Sequence, residues 1–118
     1  MEQKGLRNKV PNPLRKPQGF SKDLSKIMKF PKEGIFSTVL AKSSNYNYTL
    51  MCLAKGTDID EHTSTKKGCV QVLKGKGIFR LFDVDIEMKP GVFIFMPANA
   101  PHSLKAEENL AILLCLNS

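Results

Sequence analysis

Two histidines, His62 and His102, are the only histidines in the chain, and each stands at a fixed distance from residues that turn a backbone. Gly56 precedes His62 by five intervening residues, and Gly75 closes the same segment. Gly91 opens a second segment, Pro97 follows after five residues, and His102 ends it in the run Pro97-Ala-Asn99-Ala-Pro-His102. Glycine reaches left-handed backbone conformations, and proline removes an amide donor and fixes φ, so these positions punctuate the chain.

The text between the stops reads as strands. Ile35 to Ala41 and Tyr46 to Ala54 are rich in β-branched and aromatic residues, with serines and Asn45 marking the turn between them. Cys69 to Leu73 and Ile78 to Phe82 flank Lys74-Gly-Lys-Gly77, a hairpin signal. Val84 to Met88 runs into Lys89-Pro90-Gly91, which suits a type II turn. Val92 to Met96, His102 to Ala106 and Leu110 to Leu116 complete the set. Eight or nine short strands with regular turn signals predict an all-β, antiparallel sandwich or barrel. A length of 118 residues suits one such domain.

The leading segment is different. Pro11, Pro13 and Pro17 lie among Lys4, Arg7, Lys9, Arg15 and Lys16, which predicts an extended basic arm over residues 1–19. Phe20, Leu24, Ile27 and Met28 then repeat at helical spacing, predicting a short helix or strap on the domain that Pro31 ends. Residues 1–32 hold nine Lys or Arg against Glu2 and Asp23, whereas residues 33–118 hold nine of each sign. The formal charge of +7 therefore belongs to the arm, and the expected division is an arm over 1–32 and a domain over 33–118. A basic arm can bind nucleic acid or an acidic partner through phosphate or carboxylate contacts. No aromatic or groove-reading element accompanies it, so a solvated tail is the preferred reading.

The two punctuated segments resemble the paired motifs of the cupin superfamily. In that family the first motif is a glycine, five residues, His-x-His, a glutamate three or four residues on, and a final glycine. Gly56, His62 and Gly75 match, while Ser64 stands where the second histidine falls and Gly68 where the glutamate falls. In the second motif Gly91, Pro97 and His102 match, Asn99 replaces a glycine, and Ala106 replaces an asparagine. Asparagine tolerates the left-handed conformation, so Asn99 is a mild departure. The resemblance spans roughly residues 34–116 and looks like a subgroup of small single-domain cupins. It implies a double-stranded β-helix, or jelly-roll barrel, usually found as a homodimer.

Strand alternation, if the local run is extended, puts His62, Ser64 and Gly68 on the interior face, with Val70 and Val72 continuing it and Cys69 and Gln71 turned away. By the same rule His102, Leu104 and Ala106 share a face. The candidate ligand pocket is therefore His62, Ser64, Val70, Val72, His102 and Leu104. His62 and His102 are the candidate ligands for a divalent metal (zinc, iron, manganese or nickel), weakly or adventitiously held. A catalytic ion takes about three protein ligands and an open position, and this chain offers two imidazoles, a hydroxyl and a glycine. The plainer expectation is that both histidines are polar linings of an apolar pocket, bonded to each other, to water or to hydroxyls. A hydrolase triad of Ser64, His62 and Asp60 is disfavoured because no strand-to-helix turn exposes the serine. Asp58, Asp60 and Glu61 read as a solvated acidic loop at the pocket mouth, and Phe79, Phe82, Phe93 and Phe95 as core or dimer-interface aromatics.

The expected function is small-molecule binding at His62 and His102. The alternatives are a metal-dependent dioxygenase or isomerase with a reduced two-histidine site, and partner binding through the basic arm. Cys52, Cys69 and Cys115 form no CxxC spacing, and no apolar leader or run of ~20 apolar residues is visible. These features predict reduced thiols, a cytoplasmic location and no membrane partner. Cys52 and Cys115 are expected to pack in the core, and Cys69 to pack rather than react.

Overall fold

A computed structural model describes residues 19–118, and the Pro-rich stretch read as an arm lies largely outside the described residues. The strap contains a single helical turn, α1 (Leu24–Ile27), capped by Asp23, whose carboxylate accepts from the Ser25 amide at 3.1 Å. The helical spacing is therefore realised over one turn only. Ile27, Met28 and Phe30 pack on buried Leu50, Cys52 and Ala111, while Phe20 is 60% exposed and takes no part.

Nine strands follow: β1 (Ile35–Lys42), β2 (Tyr46–Leu53), β3 (Asp58–His62), β4 (Lys67–Lys74), β5 (Gly77–Leu81), β6 (Val84–Met88), β7 (Phe93–Met96), β8 (His102–Ala106) and β9 (Leu110–Asn117). They form two antiparallel sheets, ordered β1-β2-β9-β4-β7 and β3-β8-β5-β6. The run Asp58 to Glu61 is thus strand rather than loop, although all three acidic residues are exposed as expected.

The turns follow the residue chemistry. Gly91 has φ +96 and the Val92 amide donates to the Lys89 carbonyl at 3.1 Å, the geometry of a type II turn with Pro90 leading. Asn99 takes φ +67, where the family motif has glycine. Its amide donates to the Ser64 carbonyl at 2.7 Å, tying the two motif segments together.

Alternation along the strands sorts the side chains into two layers. Val70, Val72, Ile94, Met96 and Ile112 from the larger sheet meet Phe79, Met88, Leu104 and Ala106 from the smaller one. Burial of each large apolar side chain contributes roughly 1.5–3 kcal/mol, which makes this interior the main stabilising element. The opposite face of the larger sheet carries the second cluster, under the strap. Among the described residues no helix is long and apolar enough to cross a membrane.

Candidate functional site in the barrel

β3 and β8 bring the two histidines together. The strands pair antiparallel, and His62 is the direct register partner of His102, beyond an irregularity that follows Ile59. The rings meet edge to face, with centroids 4.2 Å apart and planes at 62°. His62 is exposed at the rim and His102 is half-buried below it. Phe79 on the neighbouring strand β5 lies parallel to His102, with planes at 6° and centroids 5.8 Å apart, an offset stack.

Both rings are oriented by backbone. His62 Nδ1 lies 2.9 Å from the Asp60 carbonyl oxygen, and His102 Nδ1 lies 2.9 Å from the Ala100 carbonyl oxygen. A carbonyl oxygen only accepts, so each Nδ1 carries the proton and donates. In the neutral rings each Nε2 is left as a lone-pair acceptor. Each ring is thus held to main chain through Nδ1, where the sequence suggests bonds to the other ring, to water or to hydroxyls. Asp60 offers His62 its carbonyl rather than its carboxylate, so no acid–base–serine relay is assembled.

The two rings border a cavity of about 210 Å³ whose other walls are mostly apolar. Val70 and Leu104 line it, joined by Phe79 and by Met51, Met96 and Leu114. Ser64 and Val72 stand apart from it. The chain leaves β3 after His62, and the Ser64 hydroxyl instead accepts from the Lys66 amide at 3.1 Å in a local turn. Val72 is buried in the core beyond the cavity wall. The contributions of Met51 and Leu114 come from strands outside both motifs, so no motif spacing signals them. Of the aromatics grouped as core or interface, Phe79 is buried, while Phe82, Phe93 and Phe95 are 50–59% exposed.

The position of the family glutamate is closed. A Cβ built on Gly68 would stand 2.7 Å from Leu116 Cδ2 and closer still to the Cys115 carbonyl oxygen. Among the described residues no group of three or more His, Cys, Asp or Glu side chains is arranged to hold a metal ion. Two imidazoles alone fall short of the three protein ligands usual at a catalytic metal, so the residues present do not fit a full cupin metal centre.

Comparison with known proteins agrees with this architecture. The family model for the cupin domain matches residues 49–116, and the chain belongs to that family. A conserved protein of unknown function from Streptococcus pyogenes superposes with a TM-score of 0.80 at 24% identity, over 91% of this chain and 97% of that one. A cupin 2 conserved barrel domain protein from Leptotrichia buccalis gives 0.75 at 30% identity, over 80% of this chain and 46% of that one. Salicylate 1,2-dioxygenase from Pseudoaminobacter salicylatoxidans gives 0.66 at 16% identity, over 71% of this chain and 27% of that one, a likeness of fold alone. No curated protein matches the chain.

Proposed function

We propose that this cupin domain binds a small, mainly apolar molecule that carries a hydrogen-bond donor, using His62 and His102 as paired acceptors and no firmly held metal. The observation that carries the reading is the commitment of both Nδ1 atoms to backbone carbonyls beside an apolar cavity. Each ring then meets a ligand with an acceptor nitrogen, which favours a hydroxyl or amine. Val70, Leu104 and Phe79 supply the apolar walls. Ser64 and Val72 do not line this cavity.

Size narrows the ligand further. A dry cavity of ~150 Å³ accepts benzene, and pockets for drug-sized molecules begin near ~300 Å³. A space of about 210 Å³ therefore suits one ring with a substituent or two. The dioxygenase or isomerase reading has less support, because the closed space at Gly68 removes a ligand that such chemistry would draw on.

The test is ligand titration of chelator-treated protein, followed by NMR, with phenol and aniline set against toluene as the isostere without a donor. Phenol or aniline is expected to bind about tenfold tighter than toluene, and the advantage to shrink in His62→Ala and His102→Ala. Equal binding of the isostere, or unchanged selectivity in both variants, would overturn the reading.

A further inference from the structure

Cys69 on β4 and Cys115 on β9 are direct register partners across two antiparallel strands. Val70, Leu114 and Leu116 face the barrel interior, so Cys69 and Cys115 both project from the outer face of the larger sheet. This departs from the sequence expectation that Cys115 packs in the core. Both thiols are half-buried, whereas Cys52 is sealed at 0% exposure under the strap. The pair sits in a row with Phe95 on one side and Tyr48 on the other.

We propose that Cys69 and Cys115 form a reversible intramolecular disulfide when the protein meets a small disulfide oxidant such as glutathione disulfide. Directly opposed residues in an antiparallel pair have Cα atoms ~4.5–5.5 Å apart, inside the span a disulfide accepts. Their Cβ atoms stand ~4.5–5.5 Å apart, and a disulfide prefers about 3.8 Å. A small approach of β4 and β9 closes that gap. A bridge formed under such tension is more readily reduced, which makes it reversible rather than structural.

The chemistry is two successive exchanges. One cysteine loses its proton and attacks glutathione disulfide, forming a mixed disulfide and releasing one glutathione thiolate, which takes up a proton. The second cysteine then loses its proton, attacks the protein sulfur of the mixed disulfide and expels the second glutathione. Both protein sulfurs are oxidised, one glutathione disulfide is reduced by two electrons, and two glutathione thiols result. The Cys115 thiol is pushed up to about 11 by burial first, and then by the charge and hydrogen bond of Cys69. Either cysteine can make the first attack, and its register partner on the neighbouring strand then resolves the mixed disulfide. The bridge would lie directly behind Val70 and Leu114, which line the cavity from the other side of the same strands. It would thus bind together the wall of the proposed pocket.

The experiment equilibrates the full chain in glutathione redox buffers, quenches it in acid, and counts thiols before peptide mapping. Two of the three thiols are expected to disappear, with the Cys69 and Cys115 peptides joined within one chain and both thiols restored by dithiothreitol. Cys69→Ser and Cys115→Ser are each expected to abolish that joined peptide and leave a glutathione adduct on the remaining partner. Because serine is close to cysteine in size, these variants retain the sheet, and far-UV dichroism verifies it. The proposal is overturned if all three thiols survive a buffer that oxidises the urea-unfolded chain. It is equally overturned if wild type accumulates glutathione adducts or cross-linked dimers in place of the internal bridge.

Discussion

Leu116 occupies the space that a side chain at Gly68 would need. The two residues are register partners on β9 and β4, and the leucine Cδ2 stands 2.7 Å from the position of a Cβ on the glycine. The absent glutamate is thus more than a missing ligand, because the neighbouring strand has packed into its place.

Restoring the family residue should therefore fail. Gly68→Glu forces a carboxylate into a filled interior and presses its Cβ on the Cys115 carbonyl. A loss of about 1–3 kcal/mol is expected, without gain of a metal. Urea unfolding with parallel metal analysis reads both quantities. A variant as stable as wild type that takes up one metal per chain would contradict the packing account.

Two glycines separate backbone strain from contact. Gly34 and Gly75 both have positive φ, at +79 and +93. A Cβ at Gly34 meets open space, whereas one at Gly75 collides with the Asn109 carbonyl. Gly34→Ala should cost about 1–2 kcal/mol, the conformational penalty alone. Gly75→Ala should cost clearly more, and comparison of the two denaturation midpoints checks the order.

Phe79 serves both the core and the site. It is 2% exposed and lies parallel to the His102 ring. Phe79→Ala is expected to cost about 3–5 kcal/mol. Phe79→Leu should fold with a smaller loss and yet bind one-ring ligands more weakly than wild type. Calorimetric titration of the leucine variant separates the two roles.

Cys115 gives a pH signature. Its thiol keeps its proton to about 11 in the folded chain, against 9.0 as the ordinary value. Below 9.0 neither state is ionised and the group has no effect. Between 9.0 and 11 the unfolded chain ionises first, so stability falls as pH rises through that window. Cys115→Ser should flatten this fall relative to wild type in unfolding curves recorded from pH 8 to pH 11.

Much of this was legible in the sequence, and the gaps have physical causes. Glycine and proline spacing marked the turns, and the type II turn at Pro90-Gly91 and the left-handed Asn99 follow from residue chemistry alone. The pairing of His62 with His102 follows from two motifs placed on neighbouring strands. Alternation does not reach Ser64, because it holds only while the strand lasts and β3 stops at His62. Val72 shares its face with Val70, but a face is longer than a cavity. The facing of Cys69 and Cys115 depends on strand order and register, which sequence separation does not encode.

A histidine-lined pocket that works without a resident metal makes a direct prediction for elemental analysis of protein produced in medium supplemented with iron, manganese, zinc and nickel and dialysed without chelator. Metal well below one ion per chain is expected, with the same low content in His62→Ala and His102→Ala. One ion per chain surviving dialysis in wild type and absent from both variants would contradict it.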